Sequence, residues 1–303
     1  MGAETGDTMA ADQGNAGQGT AERDSAAEHN SAAERDSRCG KARGFNRLLL
    51  GLCLGLAALT LLPTGATAAP LVTVKAKIVP IPIEPSKPNS PTYPGTGNIL
   101  GAGAALEATL TISGTEYGGY PSPVTQVVVE LPSGTKLHQS GFTTCPTSVL
   151  ESHEVQLCPK KSYAGPAGEA LGVVSFGGTR VQEKATIQAF FAPENKLAFY
   201  TEGREPAVLE VLATGSFSTA PPPFGPKVTV PVPLVLTVPG APYASVLSIK
   251  GKIGAAYKQG KKLISYGTVP KTCPKGGFTG RVELTFLSGE KVTVDPTVPC
   301  PKR

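Results

Sequence analysis

The sequence predicts an all-β protein, an antiparallel β-sandwich formed as one large or two small units, with at most one short helix. Three observations lead to this prediction. Short β-branched or alternating apolar runs separated by Gly and Pro fill the chain after residue 97, and no long helical periodicity interrupts them. Four cysteines in this part of the chain, Cys145, Cys158, Cys273 and Cys300, are each followed directly by proline.

Residues 1–47 contain almost nothing able to build a core. They are rich in Ala, Gly, Ser and charged residues, and related hexapeptides of the type AERDSA follow one another over 21–38. Such low-complexity composition predicts a disordered extension. The extension also supplies the basic region of a signal sequence, since Lys41, Arg43 and Arg47 precede an apolar run.

Residues 48–68 have the pattern of a signal peptide. The apolar run 48–62 has 15 residues, fewer than the ~20 that span a bilayer as a helix. Small residues follow it, and cleavage is expected after Ala68. The alternative is a retained single-pass anchor. The expected location is therefore outside the cell, either free or held non-covalently at the cell envelope.

The exported part divides into two predicted segments. Prolines recur through 80–94, so residues 69–95 are predicted to be an extended spacer with a short strand at 72–79. Residues 96–303 are predicted to form the sandwich domain, and residues 146–155 its one short helix. The predicted strands are 105–112, 126–131, 172–176, 185–192, 196–201, 207–213, 227–237, 244–253, 281–287 and 291–294. Two hairpins are predicted, with turns at 193–195 and 288–290.

The four cysteines predict two disulfides in an oxidising compartment. Three pairings are possible. Cys145–Cys158 and Cys273–Cys300 are favoured, because each encloses a compact unit of 12 or 26 residues. In the chain-entropy model, closing such a loop stabilises the fold by roughly 3 kcal/mol.

The composition disfavours enzyme and metal chemistry. After residue 68 the chain has two histidines, His138 and His153, a single aspartate and no tryptophan. No metal or cofactor site is predicted, since catalytic triads and zinc sites need several such residues together. The rival hypothesis is a hydrolase that works through paired carboxylates such as Glu202 and Glu205. The pair Glu151 and Glu154 is expected to lie on the surface.

The charge pattern marks one candidate surface. Residues 69–303 contain 22 Lys and Arg against 15 Asp and Glu, a net charge of +7 compared with +5 for the whole chain. Acidic residues are absent between Glu210 and Glu283, where basic residues cluster. The predicted anion-binding surface comprises Lys250, Lys252, Lys258, Lys261, Lys262, Lys271, Lys275 and Arg281. Lysine suits diffuse attraction, so the expected partners are anionic wall polymers or lipid head groups, and nucleic acid is disfavoured.

Tyr117 and Tyr120 form a second candidate site. Both lie in the turn EYGGYP at 116–121, where two rings can form an aromatic platform for a sugar. The alternative is that the rings pack back onto the sheet.

Two segments carry a resemblance to known proteins. The sequences VVVELPSGT at 127–135 and GTVPKTCPKGGF at 267–278 resemble exported β-rich proteins of unassigned function from high-GC Gram-positive bacteria. The resemblance covers about 97–303 and implies a signal peptide, disulfides and a sandwich-like fold. It carries no catalytic or binding residues.

Together these observations predict a secreted, non-enzymatic β-domain that acts as a binding or structural module at the cell envelope. Besides the hydrolase, the alternative is a protein ligand or inhibitor that presents the disulfide-held loop 145–158.

Overall fold

A computed structural model describes residues 69–301, and the predicted signal peptide and disordered extension lie outside this range. Strand is the main secondary structure of the described chain and helix is nearly absent, which confirms the all-β prediction. Its strands are β1 (Leu71–Val79), β2 (Gly103–Ser113), β3 (Val124–Pro132), β4 (Lys136–Leu137), β5 (Gly168–Phe176), β6 (Thr179–Ala192), β7 (Lys196–Glu205), β8 (Leu209–Thr219), β9 (Phe224–Pro231), β10 (Ser245–Ile253), β11 (Ala256–Gln259), β12 (Lys262–Ser265), β13 (Gly267–Thr268), β14 (Phe278–Thr279), β15 (Arg281–Phe286), β16 (Lys291–Val294) and β17 (Thr297–Val298).

One large antiparallel sheet supplies both layers of the sandwich. Its strands follow the order β16-β15-β3-β9-β8-β7-β6-β5-β10-β2-β13-β4, and β1 pairs with β2 as well. The long strand β8 joins the layers, because residues 209–215 pair with β7 and residues 216–219 pair with β9. The ends of the sheet approach each other where β1 contacts β16. The described residues thus form one sandwich, within a single compact unit.

The core lies between the two layers. Leu284 and Phe286 of β15 are essentially fully buried and pack with Val72 of β1 and Ile112 of β2, which lie in the opposite layer. The alternation of β15, in which Val282, Leu284 and Phe286 point inward, follows the two-residue period of a strand. This alternation therefore predicts correctly which face is buried.

The short strand predicted at 72–79 is confirmed, but it is part of the main sheet and not of a spacer. Residues 71–79 form β1, which pairs with β2 at nine positions from Leu71↔Ser113 to Val79↔Ala105. Just beyond β1, Ile81 has no exposed surface. The prolines do not exclude this strand because they begin at Pro80, after it ends. Residues 71–79 therefore belong to the sandwich.

Two other boundaries differ from the prediction. The strand predicted at 227–237 is β9, which ends at Pro231. It ends there because Pro231 and Pro233 have no N–H to donate to a neighbouring strand. The helix predicted at 146–155 is reduced to α1 (Thr147–Glu151), with short 3-10 turns at Val155–Leu157 and Lys160–Ser162. His153 adopts a left-handed conformation with φ of 62°, which a continuing right-handed helix does not allow.

Both predicted disulfides are confirmed. Cys145 and Cys158 have Cα atoms 5.0 Å apart, and Cys273 and Cys300 have Cα atoms 6.1 Å apart. The first bond is buried with Phe190 and Tyr200, where it holds the α1 loop onto β6 and β7. The second ties the C-terminal segment to the loop before β14. Two disulfides indicate an oxidising environment.

No helix within residues 69–301 is long and apolar enough to cross a membrane.

Candidate functional site

The clearest charged surface is the outer face of three neighbouring strands, β1, β2 and β10. We call it the lysine face and define it by two rows of side chains that run across these strands. The first row is Lys75, Thr109 and Lys250, and the second is Lys77, Glu107 and Lys252.

Strand alternation builds this face. In β1, Val72, Val74, Ala76 and Ile78 point into the sandwich, so the lysines between them point outward. In β10, Ile249 pairs with the inward-facing Leu110, which leaves Lys250 and Lys252 on the outer side as predicted from alternation. Strands in a sheet lie about 4.8 Å apart, so the two lysines of each row are roughly 10 Å apart at the backbone.

One carboxylate lies among the four lysines. Glu107 Oε1 is 2.9 Å from Lys77 Nζ, and Glu107 Oε2 is 3.7 Å from Lys252 Nζ. The hydrogen bond from Lys77 and the charges of Lys77, Lys252 and Lys250 lower the pKa of Glu107, although burial opposes the shift. The face therefore carries four positive charges and one negative charge at neutral pH.

The other predicted cations do not join this face in one array. Lys258, Lys261 and Lys262 lie on the β11–β12 hairpin, exposed at its strands and turn. Lys271 and Lys275 are exposed on either side of Cys273.

Arg281 lies in the other layer and is already paired. Its guanidinium donates to Asp295 at 2.8 and 3.0 Å and covers the Phe224 ring at 4.8 Å from the centroid. This pairing lowers the pKa of Asp295. Arg281, Glu130 and Lys227 occupy one cross-strand row of a shallow depression of about 210 Å³, in which positive and negative side chains alternate. Arg281 is therefore not part of an uncompensated basic surface.

The two tyrosines of the proposed platform pack around an arginine. The Arg180 guanidinium lies 5.1 Å from the Tyr117 ring centroid and 4.9 Å from that of Tyr120. Arg180 also donates to the Tyr117 carbonyl and to Ser245 Oγ, and Tyr117 Oη accepts from the Tyr243 N–H at 3.1 Å. The rings are thus held against the sheet, as the alternative prediction has it.

The carboxylates of the hydrolase hypothesis have different neighbours. Glu202 is paired with Arg204, whereas Glu205 lines a shallow depression with Gln182, Lys184 and Arg204 that does not include Glu202. Glu151 and Glu154 are both exposed. Glycoside hydrolysis requires two carboxylates that converge in a cleft, and of these four glutamates Glu205 alone lines one of the two depressions described above.

His153 makes a contact that the sequence did not predict. Its Nδ1 is 3.0 Å from Glu210 Oε2, and its ring lies against Tyr200. The hydrogen bonds from His153 and Tyr200 lower the pKa of Glu210. Burial, followed by the hydrogen bond to Glu210, raises the pKa of Tyr200 to about 12. This group joins the loop after α1 to β7 and β8.

Sequence reasoning missed half of the lysine face. Lys75 and Lys77 fell in the predicted spacer, although the alternation of LVTVKAKIV at 71–79 is a signal that places both on one face. The position of Glu107 between Lys77 and Lys252 had no local signal, because Lys252 is distant in sequence and is brought there by the pairing of β10 with β2.

Comparison with known proteins adds no family to this description. No family model, no curated protein and no solved structure matches the chain.

Proposed function

We propose that this protein is a secreted, non-enzymatic β-sandwich that acts as a binding or structural module at the cell envelope, with the lysine face as its contact surface. The observation that carries the proposal is the outer face of β1, β2 and β10, where four lysines surround a single glutamate. Clustered like charge on an exposed surface attracts polyanions.

The location has separate support. The two disulfides require an oxidising compartment, and the sequence at 48–68 has the pattern of a cleavable signal. Mass spectrometry of protein collected from the medium of cells that express the full chain tests this part. We expect an amino terminus at Ala69 and no free thiol. An intact Met1 with reduced cysteines would refute export.

Retention on purified cell wall at rising salt tests the binding. Because the proposed contacts are exposed charges, retention should be strong at low ionic strength and should fall steeply as salt screens them. A variant with glutamine at Lys75, Lys77, Lys250 and Lys252 should lose retention, while one with glutamine at the hairpin lysines Lys258, Lys261 and Lys262 should keep most of it. No retention of the wild-type protein at low salt would refute the proposal.

A further inference from the structure

The two rows of the lysine face differ in how their charges are compensated. In the second row, Glu107 lies between two lysines and contacts both ammonium groups, at 2.9 and 3.7 Å. Its side chain is only 23% exposed. Lys77 and Lys252 therefore already have a carboxylate partner within the protein, and we expect them to bind an external anion less strongly.

The first row has a hydroxyl in the corresponding position. Thr109 lies between Lys75 and Lys250 in the register of the strands. Both lysines are exposed, and within residues 69–301 neither forms an ion pair. Glu169 neighbours Lys250 on β5 but does not pair with it. These two ammonium groups are available to an external anion, and the hydroxyl between them can donate a hydrogen bond to it.

More hydroxyl groups continue the surface beside this row. The next row along the strands consists of Thr73, Thr111 and Ser248. Successive outward residues of a strand are about 6.7 Å apart. A charged pair of lysines therefore borders a strip of hydroxyls that can bond to the polyol or sugar units of a polymer.

We infer that Lys75 and Lys250, on either side of Thr109, are the anion contacts of the lysine face, whereas Glu107 holds Lys77 and Lys252 in an internal ion-pair group. The inference rests on the proposed function and specifies its ligand as a linear polyanion, with one phosphate or carboxylate over Thr109 and hydroxylated units along Thr73, Thr111 and Ser248.

A polymer fits this face better than a lipid bilayer does. The two rows of the lysine face and the neighbouring row of hydroxyls contain Thr, Ser, Lys and Glu only. Within β1, β2 and β10, the large exposed apolar side chain is Leu71, at the start of β1. Proteins that bind the bilayer interface commonly bury apolar side chains in it as well as pairing with anionic head groups. The experiment must therefore distinguish binding to a polymer from binding to a lipid bilayer.

The test compares variants with equal changes in net charge. Lys75→Gln and Lys250→Gln each remove one positive charge, and so does the triple variant Lys77→Gln/Glu107→Gln/Lys252→Gln. With poly(glycerol phosphate) as the probe at low salt, each single variant should weaken binding about fivefold. The triple variant should weaken binding less than twofold. Glu107→Gln alone should tighten binding, because it releases two ammonium groups. Unfolding midpoints close to that of the wild type would show that all variants are folded.

Each outcome decides the inference. Equal losses in the single and triple variants would overturn it, since only net charge would then matter. Binding to vesicles of phosphatidylglycerol and phosphatidylcholine without binding to the polymer would also overturn it, in favour of a membrane partner. If wild-type protein is retained on cell wall but is insensitive to Lys75→Gln and Lys250→Gln, the inference fails and the proposed function survives. If wild-type protein is not retained at all, the proposed function fails as well.

Discussion

Removal of each disulfide in turn tests how much each bond contributes to stability. The perturbations are the double variants Cys145→Ala/Cys158→Ala and Cys273→Ala/Cys300→Ala. The bonded cysteines lie 13 and 27 positions apart in the sequence. In the chain-entropy model, loops of this size stabilise by about 3.0 and about 3.6 kcal/mol. Loop length alone therefore predicts that loss of the C-terminal bond costs more.

Burial reverses this order. Cys145 has 0% and Cys158 has 5% of its surface exposed, within the cluster that contains Leu150, Phe190 and Tyr200. Loss of two buried sulfur atoms, each about the size of a methylene, adds roughly 1.6 kcal/mol. Cys273, in contrast, is exposed. Cys300 is partly buried against Phe278 and Val298, which adds about 0.4 kcal/mol for roughly half of a buried methylene equivalent. We therefore expect losses of about 4.6 kcal/mol for the 145–158 pair and about 4.0 kcal/mol for the 273–300 pair.

The assay is unfolding in urea with the free energy extrapolated to water. The chain has no tryptophan, so far-ultraviolet circular dichroism is the suitable signal. Free energies must be compared instead of midpoints, because loss of a crosslink expands the unfolded chain and raises the denaturant slope. An equal or larger loss for the 273–300 pair would refute the argument from burial.

Three further predictions follow from single positions. Gly203→Ala should destabilise the protein by about 1–3 kcal/mol, because the new Cβ would lie 2.5 Å from Oε1 of the buried Glu183. Gly251→Ala is the control, because the space around its Cβ is open. Equal losses of unfolding free energy in urea for the two variants would contradict this prediction. Leu284→Ala removes a side chain with no exposed surface between the layers, and the unfolding free energy should fall by about 2–5 kcal/mol. Binding to a sulfated polymer, which stays ionised in acid, should strengthen as the pH falls through the lowered pKa of Glu107, because protonation of Glu107 removes the negative charge of the lysine face. The stability that the ionised Glu107 contributes through its ion pairs is fully present above its unfolded-state pKa. This stability is lost as the pH falls through the folded-state pKa. A Glu107→Gln variant with the same pH profile as the wild type would show that another group titrates.

Much of the architecture could be read from local sequence patterns. The alternation in 281–287 and 291–294 predicts β15 and β16, and the turn at 193–195 predicts the β6–β7 hairpin, where Glu194 and Asn195 adopt the positive φ of a tight turn. The disulfide pairing followed from the compact units that each bond encloses. These features depend on residues close in sequence, so a single chain reveals them.

The hairpin β11–β12 shows where local patterns were insufficient. Its strands, Ala256–Gln259 and Lys262–Ser265, are short and lysine-rich, so they lack the β-branched alternation that marks a strand. Tertiary packing stabilises the hairpin instead of intrinsic strand preference. The Tyr257 ring lies edge-on to the Phe142 ring, with 5.0 Å between the ring centroids. Residue types with weak strand preference form this hairpin because their tertiary neighbours stabilise it.

The sequence by itself determined that this chain is a disulfide-bonded β protein, and it placed Lys250 and Lys252 together on one side of a strand. It did so because the two-residue period of a strand and the conformations of Gly and Pro are properties of the local backbone. Only the tertiary structure decided that β1 and β10 pair with opposite edges of β2. This arrangement places Thr109 between Lys75 and Lys250, and it places Glu107 between Lys77 and Lys252. Strand neighbours are selected by the burial of their inner faces, which brings together residues far apart in sequence, and the charges on the outer face follow from that selection.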